Sequence, residues 1–354
     1  MSTRPNSEPQ LGVFSRAACR VDFAGGTVDI WPLYLFHPGA VTVNVAVDIQ
    51  TSCRITPVAG RSIELISADT GRRDRFSSLT ELMTARWHQH ALAACLVKWF
   101  VPRGGFVMET HSESPAGAGI SGSSALMIAS TAALARYTGV TLDREQIRVI
   151  AQNVEAQLIR VPTGCQDYYP PLYGGANAVH LRVDGIHREQ IDVDVREMER
   201  RFVLAYTGAP RQSGINNWEV FKAHVDGDRK VHRNFDRITE IARAMHIALA
   251  AADWDEVEHL LREEWKLRRT NAPGIATPLI DRLISTAGRN GGRAAKVCGA
   301  GGGGCVVFFV EPDAHARVQS AVAEAGGTIL PFKIARRGVT VEVAQLSPVQ
   351  KRRK

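Results

Sequence analysis

Apolar and polar positions alternate most regularly in the first third of the chain. Ala40-Val-Thr-Val-Asn-Val-Ala-Val47 sets β-branched residues at every second position and predicts a strand. Residues 17–24, which run into Gly25-Gly26, and 51–56 read the same way. The period then lengthens. Residues 85–100 predict a helix and 105–111 a strand, and helices are expected over 123–137 and 144–159, the second with Asp143 as N-cap. Residues 164–175 are broken by Gly, Pro and aromatic residues and read as a functional loop. Beyond it the pattern predicts strands at 178–183 and 201–206, a long helical region over 216–269, and a strand, helix and strand at 294–310, 314–325 and 327–335. No internal repeat is visible. The natural break falls near residues 180–200, which gives two expected domains, 1–190 and 191–354.

Composition narrows the class. With 354 residues, 45% of them hydrophobic and 22% charged, the chain has the make-up of an ordinary globular protein with a large core. Six cysteines stand far apart with no C-x-x-C pair, which argues against a zinc site or a secreted disulfide scaffold and fits a reducing cytoplasm. Neither a signal peptide nor a run of 18 apolar residues appears, so no membrane association is expected. A net charge of +7 suits an anionic small molecule and would also suit nucleic acid. Much of the excess is local, in Lys351-Arg-Arg-Lys354, or is mixed with acids, and no zinc-finger or RNP pattern accompanies it. A small-molecule ligand is therefore expected, and nucleic acid is not. Monomer and homodimer both remain open.

Candidate chemistry is densest at Ser114-Pro-Ala-Gly-Ala-Gly-Ile-Ser-Gly-Ser-Ser-Ala-Leu126. Gly117, Gly119 and Gly122 let backbone N–H groups approach an anion, and the helix that follows aims its positive end at the same place. Gly117 to Gly122 also fits G-x-G-x-x-G, and the loop nearly fits a Walker pattern with Ser123 where lysine should stand. A dinucleotide site thus stays open, as does a tight helix start that binds nothing. A second run, Lys296-Val-Cys-Gly-Ala-Gly-Gly-Gly-Gly-Cys305, precedes its strand, the wrong polarity for a dinucleotide turn. Such a stretch must let backbone or ligand come very close.

Three segments in order resemble the GHMP kinase superfamily: Arg20-Val-Asp-Phe-Ala-Gly-Gly-Thr-Val-Asp29, residues 115–125, and residues 296–305. The resemblance implies an α+β fold, with an N-terminal ribosomal-protein-S5-like domain, a C-terminal ferredoxin-like domain, and ATP and substrate in the cleft between them. Gly164-Cys-Gln-Asp-Tyr-Tyr-Pro-Pro-Leu-Tyr-Gly-Gly-Ala-Asn177 is similar to the sugar kinases that phosphorylate heptose 7-phosphate or fucose at the anomeric carbon, as are Tyr206–Ser213 and Glu264–Arg269.

What the resemblance implies can be stated residue by residue. Asp167 matches the catalytic carboxylate and Arg20 a cation near the attacking hydroxyl. ATP would be held by Pro115, Gly117, Ala118, Gly119, Ile120, Ser121, Gly122, Ser123, Ser124 and Ala125. Glu155 and Ser123 or Ser124 would hold Mg2+, which prefers oxygen. Gly25, Gly26, Asp29, Gly175, Gly301 and Gly302 would meet the sugar, and Arg211 would take a phosphate through bidentate bonds. The chain departs from the pattern at Thr27 and Val28, where relatives carry Gly and Thr, and at Tyr168, where they carry Gln. Both departures are expected at the sugar. His37, His111 and His180 have no sequence partner at metal-ligand spacing and are read as structural. A catalytically silent relative and a dinucleotide-dependent oxidoreductase remain the competing readings.

Overall fold

Two long strands, β1 (Leu11–Ala24) and β2 (Val41–Val58), form the spine of the molecule. The computed structural model describes residues 11–86, 89–210, 213–271 and 274–345, and the side chains of 213–217 and 345 lie outside the description. After β2 come β3 (Ile63–Ser67), β4 (Arg72–Phe76), α1 (Leu79–Thr84), α2 (Ala91–Phe100), β5 (Gly105–Ser112), α3 (Gly122–Thr138), α4 (Arg144–Ile159), α5 (Tyr169–Tyr173), β6 (Ala176–Arg182) and β7 (Gly185–Ile191). The second half runs α6 (Val195–Arg201), β8 (Phe202–Tyr206), α7 (Ser213–Val225), α8 (Arg229–Ala250), α9 (Trp254–Arg268), α10 (Pro278–Arg289), β9 (Gly292–Val297), β10 (Cys305–Val310), α11 (His315–Glu324), β11 (Thr328–Leu330) and β12 (Thr340–Gln345).

The first sheet has the order β12-β1-β2-β5-β3-β4, with β6 and β7 added beside β2. β2 can serve both groups because it is long: residues 41–45 pair with β6 and residues 51–58 with β5. The last strand, β12, returns antiparallel to β1 and so closes the first sheet. The second sheet, β11-β8-β10-β9, is antiparallel throughout. This is the α+β class expected. None of the described helices is long and apolar enough to cross a membrane.

Local chemistry explains where elements stop. The helical pattern over 216–269 resolves into three helices because Asp228 and Asp253 each accept backbone N–H bonds as N-caps and so start new helices. Asp143 caps α4 in a full capping box with Gln146. The helix expected at 85–100 begins only at Ala91, and the strand expected at 294–310 is split by its own glycines into β9 and β10. The alternation does not reveal β3, β4, β7, β12, α1, α6 or α10.

α3 is packed between the sheet and its neighbouring helices, and its small residues Ala125, Ala129, Ala132 and Ala133 let it lie close against β1 and β2. A continuous apolar core joins the two sheets, where Phe202 meets Phe23 at 4.8 Å between ring centroids and Phe309 at 5.3 Å. The two halves are therefore locked together along the line that carries the glycine segments.

Candidate active site

The glycine loop sits between β5 and α3, and β1 holds it from beneath. Arg20 N–H donates to the Ile120 carbonyl at 3.0 Å, and the Arg20 guanidinium donates to the Gly119 carbonyl at 2.8 Å. Ser121 adopts φ 60°, its hydroxyl is buried without a protein partner, and α3 starts with no side-chain cap. Orphan N–H groups and an unmatched hydroxyl at a helix start are what a phosphate group would satisfy. The start of this helix borders a cavity of about 460 Å³ walled by residues 114–119, 121–124, 161–163, Glu155 and Asp167, among others. Pro115, Gly117, Ala118, Gly119, Ser121, Gly122, Ser123 and Ser124 all reach this wall; Ile120 and Ala125 are buried behind it.

The second glycine run closes on the first backbone to backbone. Cys305 N–H donates to the Ala118 carbonyl at 2.7 Å, and a methyl group on Gly304 would come 2.7 Å from that same oxygen. Gly304 must therefore be glycine for the two loops to meet. Gly302 N–H is spent on the Ile275 carbonyl, and Gly301 packs on Ile275 as well. It is Gly299 and Ala300 that line the neighbouring small cavity of about 50 Å³, together with Arg20, Asp29, Gln166 and Arg268.

Asp167 stands on the wall of both cavities. It sits in the 3-10 turn at Gln166–Tyr168, inside the loop singled out in the sequence. Arg20 is 1% exposed and donates from Nε and from a terminal nitrogen to Asp167 Oδ1, at 2.9 and 2.6 Å. Burial opposes the charge on Arg20, yet Asp167 and Asp22 outweigh it and raise its pKa.

Behind this pair runs a chain of alternating charge that single-segment reading did not reveal. Asp22 accepts from Arg20 at 3.3 Å, from Lys296 Nζ at 2.6 Å and from Gly299 N–H at 2.9 Å. Lys296 lies 3.7 Å from Glu264, which also pairs with Arg268, and Arg268 reaches the Gly26 carbonyl at 3.1 Å. Burial works against ionised Asp22, but Lys296, Arg20 and Arg268 overcome it and hold the carboxyl well below the usual range. Signals for these residues did exist. Arg20 and Asp22 share a strand face at spacing two, Glu264 and Arg268 share a helix face at spacing four, and Lys296 interrupts an apolar strand.

Glu155 accepts from three hydroxyls: Ser123 at 2.6 Å, Ser124 at 2.9 Å and Tyr168 at 2.6 Å. Burial raises the pKa of its carboxyl, and the three hydroxyl bonds offset only part of that rise. Ser123 Oγ, Ser124 Oγ and the two carboxylate oxygens form a set that a hard divalent cation accepts. Tyr168, whose departure from the family pattern was expected at the sugar, is fully buried beneath Glu155 and lines neither cavity.

Asp29 is 3% exposed and accepts from Gln166 N–H at 2.9 Å. Burial pushes its carboxyl up to about 6, with Gln166 opposing and Asp167 adding to the shift. Gly26 lines the small cavity, whereas Gly25 packs under the Val41 carbonyl. Gly175 is not on either wall; its N–H goes to Ala335 and its carbonyl accepts from Ala46. Thr27 holds φ 76° and lines the small cavity, and its neighbour Val28 is buried in the core. Arg211 lies outside the described residues.

Residues 87–175 match the family model for the GHMP kinases N terminal domain, and residues 245–328 match that for the GHMP kinases C terminal domain. A D-glycero-alpha-D-manno-heptose 7-phosphate kinase of Campylobacter jejuni is 24% identical over 343 residues, covering 90% of this chain and 96% of its own length. The bifunctional fucokinase/GDP-fucose pyrophosphorylase of Arabidopsis thaliana is 26% identical over 80% of this chain and 28% of its own. In fold, the chain is similar to a D-glycero-D-manno-heptose 1-phosphate kinase from Bacteroides thetaiotaomicron, with a TM-score of 0.75, 22% identity, and 93% and 98% of the two chains covered. It is also similar to Lactococcus lactis galactokinase complexed with galactose, with a TM-score of 0.77, 19% identity, and 93% and 95% covered.

Proposed function

From a chain that belongs to the GHMP kinase superfamily and carries both of its domains, we propose a phosphotransferase that moves the terminal phosphoryl group of Mg-ATP to a hydroxyl of a sugar phosphate. The favoured acceptor is O1 of a heptose 7-phosphate. The observation that carries the reading is the placement of Asp167 on the wall shared by two cavities, one beneath the glycine loop and one beneath Asp29.

The loop at residues 115–125 and the start of α3 would hold the phosphates, and Ser123, Ser124 and Glu155 would hold Mg2+. Mg-ATP, when bound, supplies the phosphoryl group and a metal that spreads its charge. The chain's own residues do the rest. Both Arg20 bonds fall on Asp167 Oδ1, which leaves Oδ2 to orient the acceptor hydroxyl and take its proton. In a loose transition state the proton leaves late, so the alignment of this oxygen matters more than its basicity. Gly26, Asp29 and Gln166 form the sugar side; the Gln166 side-chain oxygen is buried there without a protein partner. In this reading residues 1–190 supply the phosphate loop and the base, and 191–354 supply the closing glycine run.

An ADP-release assay with Mg-ATP and a panel of heptose 7-phosphate anomers, free heptose, fucose, galactose and mevalonate tests the substrate class. Turnover confined to a heptose 7-phosphate supports the full reading. Turnover confined to another acceptor overturns the substrate, and silence on all of them with ATP bound overturns the kinase assignment in favour of a sensor.

A further inference from the structure

Away from the glycine loops, the fold gathers three histidines that are far apart in sequence. His37 follows the 3-10 turn at Leu33–Phe36, His224 lies in the last turn of α7, and His232 lies in the first turn of α8. One ring nitrogen from each lies within 4.8 Å of those of the other two. His37 and His224 are 1% and 3% exposed, and their Nε2 atoms face each other at 2.9 Å.

The surrounding hydrogen bonds fix which nitrogens carry lone pairs. Asp236 Oδ1 lies 2.7 Å from His37 Nδ1, and an ionised carboxylate only accepts, so Nδ1 carries the proton and Nε2 is bare. His232 Nε2 lies 3.0 Å from the His224 carbonyl, which also only accepts, so Nδ1 of His232 is bare. His37, with one N–H donated outward to a carboxylate and the other nitrogen turned to the cluster, has the usual arrangement of a metal-bound histidine. The His224 and His232 rings stack at 3.8 Å between centroids, so an ion shared by all three turns one of these two rings edge-on. The Phe235 ring, edge-on to His37 at 5.6 Å, and the Phe36 ring, 5.6 Å from His224, make the flanks apolar.

We propose that His37, His224 and His232 bind one divalent transition-metal ion, zinc, with Asp236 as the outer partner that orients His37. Three imidazoles and one open position suit zinc, whereas magnesium takes oxygen ligands, so this site is chemically distinct from Ser123, Ser124 and Glu155. Cysteine spacing argued against zinc in the sequence, and these ligands are not cysteines. The ion has a structural consequence. His37 ends the segment that carries Asp29, and Val28, Ile30 and Leu33 of that segment pack in the core shared with α7 and α8. An ion here ties the sugar-side loop to both helices without touching the reacting atoms.

A second cluster, His180, Glu189 and His246, has Glu189 55% exposed and serves as the control. The test uses the full chain without an affinity tag, stripped by chelator and titrated with Co2+ as a spectroscopic probe. One equivalent of Co2+ is expected to give the intense visible bands of a four-coordinate ion, displaced by one equivalent of Zn2+ and unaffected by excess Mg2+. Asp236→Ala should weaken Co2+ binding about 10- to 100-fold, the range for outer partners of metal-bound histidine, and His224→Gln by at least as much. Asp236 is 60% exposed, so its variant should keep the fold even if His224→Gln does not. The double variant His180→Ala/His246→Ala should bind as the parent does. Absence of a stoichiometric cobalt spectrum in the parent would overturn the site, and so would unchanged affinity in Asp236→Ala or loss of binding in the control.

Discussion

Arg20 spends two of its nitrogens on one oxygen of Asp167, at 2.9 and 2.6 Å, and a third on the Gly119 carbonyl at 2.8 Å. A single guanidinium thus fixes the carboxylate and the glycine loop relative to each other. Lysine keeps the charge but cannot span these positions with one planar fork. Arg20→Lys should lower kcat by about 100-fold, the usual cost of misplacing reacting groups by an ångström, with KM for ATP changed far less. Steady-state kinetics on the acceptor identified by the panel check this; an unchanged kcat would remove Arg20 from the alignment.

Lys296 and Asp22 are both 0% exposed and sit 2.6 Å apart. Removing one partner of such a pair leaves an uncompensated buried charge, so Lys296→Met should destabilise the fold by about 3–5 kcal/mol. The double variant Lys296→Met/Asp22→Asn should recover part of that loss. Denaturant midpoints of the two variants and the parent measure the difference; equal midpoints for single and double variants would contradict the pairing.

Asp29 titrates near 6 in the fold, against an ordinary carboxylate value when unfolded. The folded state therefore binds the proton more tightly. The stabilisation is fully present below the unfolded pKa of about 4 and is lost as pH rises through about 6. Its size is at most about 3 kcal/mol, and Asp29→Asn should remove that slope between pH 4 and 6. Urea midpoints across this window in both proteins provide the check.

Tyr168 donates at 2.6 Å to Glu155, one of the residues proposed to hold Mg2+. Tyr168→Phe should raise the Mg2+ concentration needed for half-maximal activity by about three- to tenfold, the value of one hydrogen bond, with the sugar KM unchanged. A shift in sugar KM with the Mg2+ requirement unaltered would place the side chain's influence on the wrong side of the site.

Much of this was legible in the sequence. The strands at 17–24 and 40–47 showed through their apolar and β-branched residues, which are buried on both faces, and α4 showed because Asp143 and Gln146 carry a complete local cap. The glycine loop drew notice through its composition and Asp167 through the family resemblance, and the structure sets both on the wall of one cavity. Less visible was whatever depends on long-range pairing. β12 joins the first sheet only because β1 offers it an edge, and nothing in residues 340–345 announces that partner. The charge chain from Arg20 to Arg268 draws on three separate segments, each of which alone reads as a surface pair or an oddly placed lysine. Gly301 and Gly302 were expected at the substrate because a glycine run invites close approach; Ile275, a neighbouring piece of backbone, is what approaches them.

The most direct measurement is kcat for the parent and for Asp167→Asn on a heptose 7-phosphate at saturating Mg-ATP, with ATP affinity determined in both. Asn keeps the shape, so the fold and ATP binding should persist while kcat drops by roughly 100- to 10,000-fold, the contribution of a positioned general base. A variant that turns over as fast as the parent would contradict the assignment of Asp167 as the group that receives the acceptor's proton.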